Sequence, residues 1–145
     1  MALVTNIVAA DEDEAEAVAM SDHPMEEWTG IEARDIDAAK LATLHCLLSE
    51  DDFQEALYAY EPILALYDEG VLVVRIPDHI VEKLTLLDEE GLERVGEELA
   101  ASEEFELAGW PVEEVQAFVV DLSDVARVAE SQGQAMLAWM RAINA

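Results

Sequence analysis

His45 and Cys46 sit side by side in the leucine-rich run DAAKLATLHCLLSE, and their chemistry is the first to weigh. A Cys–His nucleophilic pair works only when thiol and imidazole meet in space. Neighbours on a helix point about 100° apart, so one of the two belongs in the core and the other at its margin. His79 follows Pro77-Asp78 and reads as the exposed start of a helix. A metal site drawn from His23, His45 and His79 would need three distant segments to converge, and no HxxxH or HxxE spacing supports one. Gly91 and Gly96 lie in an acidic stretch that would repel phosphate, so no phosphate-cradling loop is read there. Trp28, Trp110 and Trp139 read as core or interface anchors. The expectation is no catalytic residue, no metal and no cofactor.

Carboxylates are the abundant chemistry. The 145-residue chain holds 34 Asp and Glu against 7 Lys and Arg, a net charge of −27. Such charge accompanies disorder only when hydrophobicity is low. Here 52% of residues are apolar and recur at regular spacing, so the chain folds. The basic residues Arg34, Lys40, Arg75, Lys83, Arg94, Arg127 and Arg141 are never neighbours. Nucleic acid and anionic membrane, which both need clustered cations, are therefore excluded as partners. Two acidic runs stand out: Asp11, Glu12, Asp13 and Glu14 in one, Glu89, Glu90, Glu93, Glu97 and Glu98 in the other. Both are candidate surfaces for a basic protein drawn in by electrostatic steering. The plainer reading is a solvated surface or a salt-rich cytoplasm. With so many carboxylates, no particular pair marks acid–base catalysis.

The single Cys46 excludes an internal disulfide and a thiolate zinc cluster. The short apolar opening is followed by acid and lacks a preceding basic segment, so it is no signal peptide. No apolar stretch reaches the ~20 residues of a membrane span. The expected location is the cytoplasm.

These groups must be positioned by the elements around them. Residues 3–9 are rich in β-branched side chains and read as a strand. Asp11 then caps a helix that stops before Pro24, and EEWTGIEARDI reads as irregular or briefly extended. Asp37 caps the next helix, with Leu41, Leu44, Leu47 and Leu48 as its stripe. Phe53, Leu57 and Tyr60 share a face of another, ended by Pro62. Residues 72–76 are unbroken and apolar, the mark of a buried central strand. Two helical stretches follow. The first turns Ile80, Val81, Leu84 and Leu87 inward; the second, DEEGLERVGEELAASEEF, buries Leu92, Val95 and Leu99 and leaves its glutamates outside. Pro111 opens the longest helix, Gly133 ends it, and residues 136–140 form a last strand. The fold class is α/β or α+β, a helix-rich single domain over residues 1–145. Two or three strands make a small mixed sheet, in which a parallel crossover from 72–76 to 136–140 is allowed.

The segments DAAKLATLHCLLSE, GVLVVRIPDHIVEKLTLLDEEGLERV and VQAFVVDLSDVARVAESQGQAMLAWM, in that order, resemble the YfbM-like family of small bacterial α/β proteins. The likeness rests on Leu44, His45, Leu47 and Leu48, on the Pro-opened helix after a strand, and on Gly133 before an aliphatic strand. It runs from Ile36 to Met140 and departs at Ser49-Glu50, where a Thr-Gly ending is typical. The family is largely without assigned function, so the resemblance implies a fold and no activity.

The leading expectation is a non-enzymatic interaction protein whose acidic face meets a basic partner, as an immunity protein or an anionic decoy would. The alternative from another class is a small-ligand binder or enzyme with a pocket near His45. A third is a domain whose acidity serves solubility alone. Whether it acts as a monomer or a homodimer is left open.

Overall fold

Strand formation begins where β-branched residues cluster. ALVTNIVAA becomes β1 (Ala2–Ala10), and AMLAWMRAI becomes β5 (Ala135–Ile143) beside it. The computed structural model describes residues 2–143. Its sheet adds β2 (Gly30–Arg34), β3 (Leu64–Leu66) and β4 (Val71–Arg75), in the order β2-β1-β5-β4-β3. The helix-rich α/β class is as expected from the sequence.

Two details of the sheet differ from expectation. Every pairing is antiparallel, so the sheet is not mixed and no parallel crossover joins β4 to β5. The reason lies in the connection between them. A single crossover helix would carry the chain back along the sheet. Here several helices intervene and the chain returns to the end it left, where the Ile76 amide donates to the Met136 carbonyl at 3.0 Å. The central strand is β5; β4 is interior, with β3 on its outer side. The sheet also holds five strands where two or three are expected from the sequence. β2 is half exposed and β3 is three residues long, so neither carries a clear apolar pattern.

Helices cover both faces, which explains the unbroken apolar runs of the inner strands. On one face lie α1 (Ala15–Met20) and α2 (Pro24–Glu27); Val18 and Ala19 of α1 pack with Val8, Leu137 and Trp139. On the other face lie α3 (Ala38–Leu48), α4 (Phe53–Tyr58), α5 (Asp78–Thr85), α6 (Glu89–Ala100), α7 (Glu103–Ala108) and α8 (Val112–Gln132). Their apolar stripes meet Ile7, Val74, Met136 and Ala138 in the larger core. Asp37, Asp52 and Asp88 cap α3, α4 and α6, accepting from backbone amides of Lys40, Glu55 and Gly91.

The acidic helical stretch expected to run on through Phe105 instead breaks after Ala100. Ser102 takes an extended backbone and starts α7, which buries Phe105 edge-on against Trp110 at 5.4 Å. Burying that ring requires the change of axis. Gly96 fixes α6 against α8: a β-carbon there would stand 2.6 Å from Gln116 Cγ, so only glycine permits this approach. Among the described residues, no helix is long and apolar enough to cross a membrane.

Candidate functional site

His45 occupies the last turn of α3 and is buried. Beyond the helix end, the Asp51 amide donates to Ser49 Oγ at 3.2 Å, a tight turn that swings the Asp51 carboxylate back over the helix. Asp51 Oδ2 lies 2.7 Å from His45 Nε2. On the other side of the ring, buried Tyr60 places its hydroxyl 3.1 Å from His45 Nδ1. His79, one residue into α5, presents Nε2 3.8 Å from the same Asp51 oxygen, and its ring stands edge-on to His45 at 5.2 Å. Three elements, α3 with its following turn, the α4 exit and α5, thus converge on one imidazole.

The electrostatics assign the protons. Burial, the main cause, raises the Tyr60 hydroxyl above its ordinary range, with Cys46 adding to the effect, so the phenol keeps its proton. His45 Nδ1 faces the Tyr60 hydroxyl, while the Asp51 carboxylate can only accept, so His45 Nε2 donates to it. That hydrogen bond is the chief reason the Asp51 carboxyl lies below its usual value. Cys46 shows the opposite behaviour. Burial first, then Asp51 and Asp52, push its thiol up, so it is no activated nucleophile. The pair that stood out in sequence divides as helix geometry requires, with His45 in the core and Cys46 half-buried at its margin.

Of the three histidines, then, two come together. The third, His23, is exposed at the start of α2 on the opposite side of the sheet, beside a surface cavity of about 510 Å³. An apolar cavity of about 450 Å³ lies between β4, β5 and the start of α3. His45 is absent from its wall; Tyr60 lines it and bonds to His45. Asp51 escaped sequence reasoning, and His79, weighed there as a metal ligand and read as an exposed helix start, carried no sign that it meets His45. Their only signals are the Ser-capped turn after α3 and the position of His79 one step inside a helix that follows a buried strand.

The acidic runs occupy separate places. Glu89, Glu90, Glu93, Glu97 and Glu98 are all exposed on α6, and among the described residues none takes part in an ion pair. Asp11, Glu12, Asp13 and Glu14 lead into α1, on the other side of the sheet, and do not extend the α6 surface. Part of that run has local work. Glu14 accepts from the Asp11 amide at 2.9 Å and from Trp28 Nε1 at 3.3 Å, and Glu12 pairs with Arg75. Arg75 is held more firmly protonated by Asp78 and, next, by Glu12.

These features define a helix-rich α/β protein with an antiparallel sheet and one polar cluster at its helical layer. The chain is similar to the crystal structure of YfbM from Escherichia coli, a protein of unknown function, at 13% identity. The match covers 94% of this chain and 99% of that one, with a TM-score of 0.47. The resemblance drawn from the sequence is to the same family. No protein-family model matches the chain. No curated protein matches it either.

Proposed function

We propose that the protein is a non-enzymatic interaction protein whose α6 surface docks a basic protein partner. The observation that carries this reading is a pairing of charge with exposed apolar anchors. Leu86, just before α6, is 74% exposed, and Leu107, on α7 just after it, is 80% exposed. Between them α6 shows five exposed glutamates and the single cation Arg94. Protein interfaces combine desolvated anchors with a charged surround, whereas solubility needs no exposed leucines. Like charges one helical turn apart destabilise a helix, a cost solubility alone does not demand. Gly96 presses α6 onto α8, so the charges ride on a rigid support. A field of this sign accelerates encounter with a cationic surface. Neutralising a basic toxin in immunity-like fashion, or standing in for nucleic acid as a decoy, would use this chemistry.

The test takes a basic protein recovered with the native chain and compares its binding to the E93K/E97K variant. The variant should associate more slowly at low salt, with the difference shrinking as salt rises. L107S should act instead through faster dissociation. An unchanged association rate for E93K/E97K at low salt would reduce the α6 face to a solvated surface.

A further inference from the structure

Imidazole and carboxylate together suit divalent cations of borderline softness. His45, Asp51 and His79 supply that set: both Nε2 atoms face Asp51 Oδ2, at 2.7 Å and 3.8 Å, and one ligand atom from each of the three residues lies within 4.8 Å of the others. We propose that this cluster binds a divalent transition metal, with Zn²⁺ as the fitting ion, through three protein ligands and one solvent-facing position. The inference is independent of the α6 surface.

The geometry needs small adjustments. Tetrahedral coordination at ~2.0–2.1 Å sets ligand atoms about 3.3 Å apart. The present separations of 2.7 Å and 3.8 Å straddle that value, so each must change by roughly half an ångström. The groups that must move can do so: the Asp51 side chain is 43% exposed and that of His79 53%. His45 is the fixed point, clasped by Tyr60 in the core. Exposure on the Asp51 and His79 side leaves room for water as the fourth ligand, the pattern of an open site.

The proton balance also closes. A metal takes the Nε2 lone pair, so the proton that Nε2 shares with Asp51 must leave, and the neutral ring then carries its proton on Nδ1. Tyr60 faces Nδ1 at 3.1 Å, and a phenolic hydroxyl can accept as well as donate. Tyr60 is thus a positioning residue that orients the ring in both tautomers. A chain of hydrogen bonds from Tyr60 through His45 to Asp51 would be complete without His79. The second imidazole facing the same carboxylate oxygen is what singles out a cation. Ca²⁺ and Mg²⁺ are poor fits, since they take oxygen ligands and the cluster offers one carboxylate.

The 145-residue chain, treated with chelator, is titrated with Co²⁺ in excess Mg²⁺, which occupies loose carboxylate sites. One Co²⁺ per chain should bind with the intense visible absorption of a four-coordinate ion, and Zn²⁺ should displace it. Zn²⁺ should also shift the ring-proton NMR signals of both His45 and His79. H79A alters an exposed side chain and D51N keeps its volume, so both should fold, as circular dichroism will verify. Each should weaken binding at least about tenfold, and Y60F about tenfold with the absorption spectrum retained. The proposal is overturned if Co²⁺ gives only the pale spectrum of a hydrated ion. Equal affinity in H79A and D51N, or His45 and His79 signals unmoved by Zn²⁺, would overturn it too.

Discussion

Helix α6 displays its carboxylates within 12 consecutive residues, whereas the His45 cluster draws its groups from separate elements. On α6 each glutamate points to water and repels its neighbours. Around His45 both ring nitrogens are engaged, and the ring itself is buried. The first region is a pattern of sequence that folding leaves almost unaltered. The second exists only because α3, α4 and α5 pack as they do. Substitution should therefore be nearly silent for stability in one and costly in the other.

The sharpest way to break that contrast is to remove a side chain from each region in metal-free protein. H45A deletes a buried ring and strands the Tyr60 hydroxyl in the core. Cavity and unsatisfied polar group together should cost about 2–4 kcal/mol. E97A, on the exposed face of α6, should stay within about 0.5 kcal/mol of the parent. Urea unfolding of the two variants measures both. Equal midpoints would mean that His45 is no more structurally tied than a surface glutamate.

The same contrast governs what could be read before folding. The buried strands β4 and β5 were legible because layers on both faces demand unbroken apolar runs, and VLVV and AMLAWM supply them. The cap Asp37 and the stop Gly133 act within a few residues, so local rules reach them. β2 and β3 fall at the sheet edges, where one side has no strand to satisfy and pattern weakens. The exposed glutamates of α6 were legible as a helix face. The meeting of His45 with His79 was not. Its cause is the packing of α3 against α5, and no spacing rule records it.

A smaller effect separates the two regions by pH. The Asp51 carboxyl sits below its ordinary value in the folded chain, chiefly through the His45 hydrogen bond. A group depressed on folding stabilises above its unfolded pKa, and that stabilisation drains away as pH falls through the folded one. The stability difference between parent and D51N should thus be full near neutrality and shrink below about pH 4. The parent's absolute stability will follow a different course, because protonating other carboxylates relieves self-repulsion. Thermal melts of both proteins across the acid range, compared as a difference, isolate Asp51. A difference that grows on acidification would mean the carboxylate is not held by His45.

The smallest effect belongs to α6 itself. Glu93 stands one turn from Glu89 and one turn from Glu97, all three exposed. Neutralising it in E93Q removes these two like-charge pairs and a third with exposed Glu90, three residues away, each destabilising by ~0.2–0.5 kcal/mol. The variant should therefore be slightly more stable than the parent at ~0.01 M salt, where screening extends to ~30 Å. At ~0.1 M the screening length falls to ~10 Å and the gain should diminish, while the parent's own melting temperature rises. Scanning calorimetry at both salt concentrations resolves the two trends. A loss of stability in E93Q would mean that Glu93 has a partner within the folded chain. Its charge would then serve the fold, and the α6 face would resemble the His45 cluster after all.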